Sequence, residues 1–240
     1  MADPLRLKPL DPDAALFLDF DGTLAPLQDD PDAVALPNGG AAVLLALADK
    51  LGGALAMVSG RDVRDLTERT PIGLWRAGSH GLEICGPSEA PAEKQIQAPS
   101  ALLLAIEAIC ADHPGTRMEP KGGVIAIHYR AAPEAKDILA AALHALIDKE
   151  PGYRLQSGKM VFEAKPDSAN KGVAVRTLLQ AIPFKGRKPV FIGDDATDED
   201  AMAVVLELGG IAIKVGDGET VAPHRLENTE EVWQWLKASR

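Results

Sequence analysis

Phe17-Leu18-Asp19-Phe20-Asp21-Gly22-Thr23-Leu24 is the stretch on which the reading of this chain turns. The run from Ala14 to Phe20 is short, apolar without alternation and ends in acids, the pattern of a strand buried on both faces of a parallel sheet. Two carboxylates two positions apart at the end of such a strand cost several kcal/mol unless a cation or hydrogen-bond donors meet them. Something positive therefore belongs beside Asp19 and Asp21. A calcium loop is excluded, because its sixth position must be Gly and is here Leu24, and because the entry is a strand rather than a helix. A plain turn or helix-capping aspartate is the alternative, which the following Gly22-Thr23 disfavours.

Outward from this strand the periodicity predicts a helix over Pro37 to Leu51, a strand over Ala54 to Val58 that stops at Ser59-Gly60, and a charged helix over Asp62 to Arg69. Short strand-like pieces follow from Gly73 to Ile84 around the turn Gly78-Ser-His-Gly81. Alternating strands and helices of this kind predict an α/β fold with a doubly wound parallel sheet. Between Cys85 and Pro99 the composition shifts to Gly, Pro, Ser, Glu and Ala, as in a connector. The rhythm then changes to a helix over Ser100 to Asp112, two strands separated by Glu119-Pro-Lys-Gly-Gly123, a helix over Pro133 to Glu150, and strands over Arg154 to Gln156 and Met160 to Ala164. This αββαββ order predicts a separate α+β insert with an antiparallel sheet. The expected division is a core of residues 1–86 and 165–240 and an insert of residues 87–164. From Lys171 the alternation resumes, with strands at Pro189 to Ile192 and Ile211 to Val215 and a helix over Glu199 to Leu208.

A second acidic segment, Gly193-Asp194-Asp195-Ala-Thr-Asp198-Glu-Asp200, directly follows an apolar strand. Asp198, Glu199 and Asp200 would suit the positive end of a helix dipole, but Asp194 at the strand end adds like charge to Asp19. A divalent cation is the ordinary remedy, and oxygen ligands in small number suit Mg²⁺. Ser59-Gly60-Arg61 offers a hydroxyl and backbone amides at a helix start, and Asn170-Lys171-Gly172 opens another helix. Ligands of open α/β sheets bind beyond the carboxyl ends of strands, so Asp19, Asp21, Ser59 and Asp194 are expected to converge there with Lys171.

The 240 residues carry 25 Lys and Arg against 35 Asp and Glu, a net charge of −10. With no dense basic block to track phosphates, a nucleic-acid partner is not expected. The longest apolar run, Ala41 to Ala48, is far short of the roughly 20 residues of a membrane span, and Met1-Ala-Asp-Pro has no basic, apolar leader character. No membrane partner is expected, and a soluble cytoplasmic protein is. Cys85 and Cys110 form no CxxC pair, and Cys110-x-x-His113 lacks a second half-site for zinc.

Four segments, Asp19-Phe-Asp21-Gly-Thr23, Val58-Ser59-Gly60, Lys171, and Gly193-Asp194-Asp195 with Asp198, resemble the motifs of the haloacid dehalogenase superfamily. Gly78-Ser-His-Gly-Leu-Glu83, Glu119-Pro-Lys-Gly-Gly123, Ile127-His-Tyr-Arg130 and Gly193-Asp-Asp-Ala-Thr-Asp-Glu-Asp200 look further like the trehalose-6-phosphate phosphatase family, from about Leu16 to Trp233. Lys165-Pro166 departs from it, since Arg-Pro is common there and a bidentate contact would be lost. The resemblance implies a haloacid-dehalogenase-like core with a C2B-type cap, and hydrolysis of trehalose 6-phosphate through an aspartyl-phosphate. It implies Asp19 as nucleophile and Asp21 as general acid and base. Mg²⁺ would be held by Asp19, the backbone carbonyl of Asp21 and Asp194, with Asp195 and Asp198 acting behind them. Thr23, Ser59, Gly60 and Lys171 would hold the phosphoryl oxygens, and Glu119, Lys121 and Glu163 the sugar. Asp21 would have to start protonated.

Other readings remain open at this point. A capped phosphatase for sucrose phosphate or a hexose phosphate shares every core motif. A receiver-type regulatory module also combines an acid cluster, a phospho-accepting Asp and a Lys, but needs no insert of this size. A serine-hydrolase elbow at Ala77-Gly-Ser79-His-Gly81 fails because Leu82-Glu-Ile84 reads as strand.

Overall fold

The computed structural model describes residues 7–28, 30–158 and 160–240. The chain forms two compact units, one from the segments up to Pro91 and from Asn170 onward, the other from Ala92 to Ala169.

In the larger unit β1 (Ala14–Leu18) is buried along its whole length, which its unalternating apolar sequence requires. Parallel neighbours flank it on both sides: β2 (Leu55–Val58), with Leu18 opposite Met57, and β9 (Lys188–Gly193), with Leu18 opposite Ile192. Outward from β2 lie β3 (Trp75–Gly78) and the antiparallel β4 (Glu83–Cys85). Outward from β9 lie β10 (Ile211–Val215) and β11 (His224–Leu226), giving the order β11-β10-β9-β1-β2-β3-β4. The connecting helices are α1 (Gly40–Lys50), α2 (Val63–Arg69), α5 (Lys171–Leu178) and α6 (Asp198–Glu207). The strand order reverses between β1 and its neighbours, so the carboxyl ends of β1 and β9 flank a topological switch point, where such sheets open a ligand crevice.

The core of this unit packs Phe17 onto Phe184 at 5.4 Å between ring centroids, with Trp75 edge-on to Phe184 at 5.6 Å. Each buried Phe of this kind contributes about 2–3 kcal/mol through the area it removes from water. Two elements have no counterpart in the sequence reading, β11 and α7 (Thr229–Ser239). Asn228 caps α7 by accepting from the Glu231 amide, and the buried Trp233 donates its indole N–H to the Leu24 carbonyl at 2.8 Å.

In the smaller unit α3 (Ser100–Ala111) and α4 (Lys136–Ile147) accompany a four-stranded antiparallel sheet. Its strands are β5 (Arg117–Lys121), β6 (Val124–His128), β7 (Tyr153–Gly158) and β8 (Val161–Pro166), in the order β5-β6-β8-β7. Ile125, Ile127, Phe162 and Ala164 share a core with Leu102 and Ile106 of α3 and Leu139 and Leu143 of α4. The turn expected at 119–123 is shorter than its sequence suggests. Glu119, Pro120 and Lys121 stay in β5, an edge strand where a missing N–H is tolerated.

The division falls at Pro91 and Ala169, five residues beyond each expected boundary. β8 runs on through Pro166, so a cut after Ala164 would split a strand. The buried Arg76 of β3 donates to the carbonyls of Gly86 at 2.9 Å and Glu89 at 2.8 Å, which keeps that loop with the larger unit. Among the described residues no helix is long and apolar enough to cross a membrane.

Candidate active site

Asp19 leaves the end of β1 with its amide still donating to the Ile192 carbonyl of β9 at 3.0 Å, so it and Asp194 emerge from adjacent strands. Lys171 enters from the first turn of α5. Asn170 caps that helix, its side-chain oxygen accepting from the amides of Gly172 at 2.7 Å and Val173 at 3.1 Å, which fixes where Lys171 starts. The buried Lys171 ammonium donates to Asp19 at 2.7 Å and to Asp198 at 2.7 Å. Asp198, fully buried, spends its other oxygen on the amides of Asp194 at 2.9 Å and Asp195 at 3.0 Å. It therefore shapes the loop that presents Asp194. Asp195 Oδ1 accepts from the Thr197 amide, the Thr197 hydroxyl and the Asp198 amide, so this carboxylate is committed to the same loop. Lys214, buried on β10, donates to the Asp194 carbonyl.

Thr23 is fully buried with its hydroxyl 3.5 Å from Asp194 Oδ1. Ser59 lies just past β2, its hydroxyl accepting from the Arg61 amide at 3.1 Å. Two glycines are required by close approach. Gly22 has φ +75°, and a Cβ there would lie 2.1 Å from Asp194 Oδ2. A Cβ on Gly60 would lie 2.8 Å from the His80 ring. His80 and Ser79 both occupy the left-handed region, and their amides clamp the 59–61 turn by donating to the carbonyls of Ser59 and Arg61. After Ser79-His-Gly81 the chain enters β4 rather than a helix, which removes the serine-hydrolase elbow.

The electrostatics call for more positive charge than Lys171 supplies. Burial, opposed by Lys171 and reinforced by Asp194 and Asp195, pushes the Asp19 carboxyl up to about 7. Burial and the charges of Asp198 and Asp195 push Asp194 up to about 6. Asp198 is driven well above the usual range by burial and Asp19. Asp195 goes the other way, to about 2, because Lys171 and hydrogen bonds from Thr197 and Asp198 outweigh its burial. Burial opposes charge on Lys171, but Asp19 and Asp198 overcome it and keep the ammonium protonated. Asp19, Asp194 and Asp198 each place an oxygen within 4.8 Å of the others. Hard oxygen donors in a small, mutually repelling set, beside a glycine whose missing Cβ leaves room, fit a Mg²⁺ ion.

Asp21 has a partner that the sequence did not point to. Both of its oxygens accept from one guanidinium, Arg61 Nε at 2.8 Å and Nη2 at 2.6 Å. A two-oxygen contact with one guanidinium is a specific, oriented pairing, and it was not part of what the resemblance implied. Arg61 was legible only as the residue following Ser59-Gly60, and Lys214 only as a charge inside the apolar strand Ile211 to Val215.

The remaining predicted residues lie in the smaller unit. Glu119 pairs with Ala126, Ala126 with Glu163, and Glu163 with Gln156, one row across the sheet on the face opposite its apolar core. Glu119 accepts from or shares a proton with His128 Nε2 at 2.6 Å, and Lys121 stands 3.9 Å from the same oxygen. Partial burial would raise the Glu119 carboxyl, but His128 and Lys121 outweigh it and hold it below its ordinary value.

An open, mostly parallel sheet with this strand order and switch point is the haloacid-dehalogenase-like fold. A solved hydrolase of that description from Bacteroides thetaiotaomicron shares the fold at TM-score 0.63 and 15% identity, covering 94% of this chain and 98% of that one. The trehalose-phosphatase family model matches residues 17–230, and the chain belongs to that family of phosphatases. It is 39% identical to trehalose-6-phosphate phosphatase of Escherichia coli (strain K12) over 246 residues, 99% of this chain and 91% of that protein. The solved C-terminal domain of the C. albicans trehalose-6-phosphate phosphatase has the same fold, with TM-score 0.76 at 22% identity over 93% of this chain and 90% of that one. Membership in a phosphatase family sets the receiver-type reading aside.

Proposed function

We propose that this chain hydrolyses trehalose 6-phosphate to trehalose and phosphate in the cytoplasm, with Mg²⁺ and through an aspartyl-phosphate on Asp19. The observation that carries the reading is the buried ammonium of Lys171, 2.7 Å from both Asp19 and Asp198 at the end of the central strand.

Asp19, Asp194 and the backbone carbonyl of Asp21 would hold the ion, which when bound neutralises charge that would otherwise repel a phosphate dianion. Asp19 Oδ attacks phosphorus, and the bond from phosphorus to the sugar O6 breaks. Asp21 gives its proton to that oxygen, and trehalose leaves. Water then attacks phosphorus, Asp21 takes the water proton, the bond from phosphorus to Asp19 breaks, and phosphate is released. Thr23, Ser59, the amide at Gly60 and Lys171 hold the phosphoryl oxygens as charge shifts among them. Asp195 and Asp198 keep the Asp194 loop in place. The row containing Glu119 and Glu163, with Lys121 on the same strand as Glu119, supplies charged partners for sugar hydroxyls, and the smaller unit would act as the C2B-type cap.

Phosphate release from a panel of trehalose, sucrose and glucose phosphates, with and without Mg²⁺, tests the reading. Trehalose 6-phosphate is expected to be the fastest and to need the metal. Equal rates for glucose 6-phosphate would transfer the chain to a broader sugar phosphatase, and inactivity of trehalose 6-phosphate would refute the substrate.

A further inference from the structure

Asp21 and Thr23 stand on one tight turn that is closed on itself. The amides of Leu24 and Ala25 donate to the Phe20 carbonyl at 2.9 and 3.0 Å, and the Gly22 amide donates to the Ala25 carbonyl at 2.8 Å. The Leu24 carbonyl is left over by these bonds. It accepts from the indole N–H of Trp233 on α7 at 2.8 Å, a buried bond between residues 209 positions apart. The indole is seated from another side by the start of α1, where a Cβ on Gly40 would lie 2.9 Å from Trp233 Cη2. α7 is itself anchored at its far end: the buried Ser239 hydroxyl accepts from the Leu10 amide at 3.1 Å, and the Ser239 carbonyl accepts from Lys50 of α1 at 2.6 Å. The donor is thus held by α1 and the segment before β1, independently of the turn. Beside the contact close packing gives way to a cleft of about 250 Å³, lined by Leu24, Pro26, Pro37 and Trp233 among others. On that side the turn is held by a hydrogen bond rather than by packed side chains.

A buried carbonyl that loses its donor either stays unsatisfied, at a cost, or turns toward water. The cleft opens the second course to Leu24, and rotation of that peptide carries the preceding residue, Thr23, whose hydroxyl stands 3.5 Å from Asp194 Oδ1. We infer that Trp233 is a positioning residue: through the Leu24 carbonyl its indole N–H fixes the turn so that Thr23 and Asp21 meet the phosphoryl group in the geometry of transfer. It acts from α7 without contacting the reacting atoms. A displacement of about 1 Å at reacting groups can cost about 10²-fold in rate, which is the leverage of such a tether. The inference rests on the phosphoryl-transfer reading of the same site and does not depend on which sugar carries the phosphate.

The test compares wild type with two variants that remove the N–H. One is Trp233→Phe; in the other Trp233 is replaced by 3-benzothienylalanine, which keeps the size and shape of the indole and puts sulfur where the N–H was. Turnover of trehalose 6-phosphate and of p-nitrophenyl phosphate is measured well below the melting temperature. The folded fraction is read by circular dichroism, and inhibition by orthovanadate, a five-coordinate mimic of the transferring phosphoryl group, is titrated alongside. In both variants kcat is expected to fall about tenfold or more on both substrates in fully folded protein, and orthovanadate to inhibit about tenfold less tightly, because both depend on where the turn places its groups. KM for trehalose 6-phosphate should stay within about threefold, so that kcat and kcat/KM fall together, as when an interaction of the transition state is lost. A benzothienylalanine variant with wild-type kcat and wild-type orthovanadate affinity would overturn the inference. So would a loss of activity that tracks loss of folded enzyme while orthovanadate affinity is unchanged, which would make Trp233 structural. If Trp233→Phe does not melt cooperatively, the benzothienylalanine variant decides by the same readings. Wild type that hydrolyses the aryl phosphate and not trehalose 6-phosphate would end the substrate assignment and leave the Trp233 comparison to decide on the aryl phosphate. Wild type inactive on both would end the proposed function and this inference with it.

Discussion

Replacing Lys171 by Met removes the one ammonium that separates two buried carboxylates. Side-chain exposure is 3% for Lys171, 5% for Asp19 and 0% for Asp198, so solvent screens little of what is lost. Removing one partner of a buried pair costs about 3–5 kcal/mol, because the other charge is left without compensation. Here two are left, but burial already favours the neutral forms of Asp19 and Asp198, which caps the penalty and places the expected loss at the lower end, about 3 kcal/mol. At roughly 2–4 °C per kcal/mol for a chain of this size, the melting temperature should drop by about 6–12 °C. A second signature follows from competition: the Lys171 ammonium and a bound cation draw on the same carboxylates, so with Lys171 gone added Mg²⁺ should raise the melting temperature of the variant more than that of wild type. Phosphatase activity should be lost. Thermal melting with and without millimolar Mg²⁺ reads all of this. A melting temperature within about 2 °C of wild type, or a smaller response to Mg²⁺ than wild type shows, would refute the reasoning.

Three further outcomes are expected. Gly22→Ala would put a methyl 2.1 Å from Asp194 Oδ2 at φ +75°, so activity should fall about a hundredfold or more while the circular dichroism spectrum is kept; near-normal activity would mean that Asp194 need not stay where it is. Arg69 and Arg61 outweigh the burial of Asp65 and hold its carboxyl below the ordinary 3.8, so its contribution to stability is full above that pH and disappears as pH falls through its own lower value. Asp65→Asn should therefore melt below wild type at pH 7 and converge with it on acidification below 3.8, and a difference independent of pH would contradict the ion pairing. Glu163→Gln should raise KM for trehalose 6-phosphate about tenfold and leave p-nitrophenyl phosphate hydrolysis unchanged, since the row with Glu119 belongs to the smaller unit; equal losses on both substrates would remove Glu163 from sugar recognition.

The strand ends that form the candidate site were legible because each announces itself locally, as an apolar run leading into Asp19, into Ser59 or, through Gly193, into Asp194. The strand-end rule for open α/β sheets then brings them together without any knowledge of side-chain rotamers. What the rule does not reach is pairing at a distance. The fork between Asp21 and Arg61 joins residues 40 positions apart, and nothing in Val58-Ser-Gly-Arg61 says which acid its guanidinium will meet. Lys214 hides in a strand otherwise read from its apolar residues, although a charge inside such a run is itself a signal of a buried partner. β11 was missed because three residues, His224-Arg-Leu226, carry no periodicity; α7 was legible and went unread, since Asn228 three residues before Glu231 marks a capped start and Val232, Trp233 and Leu236 recur at helical spacing. Glu119-Pro-Lys reads as a turn from its Pro and the glycines after it. At a sheet edge the missing N–H costs nothing, and the same residues extend as β5.

The central claim is that a phosphoryl group passes through Asp19. Enzyme quenched in acid during turnover of trehalose 6-phosphate with Mg²⁺, then digested and sequenced by mass spectrometry, tests it most directly. A single phosphoryl group on the peptide containing Asp19, absent from Asp19→Asn, is the predicted result. Turnover with phosphate on any other residue, or Asp19→Asn that still releases phosphate at the wild-type rate, would contradict it.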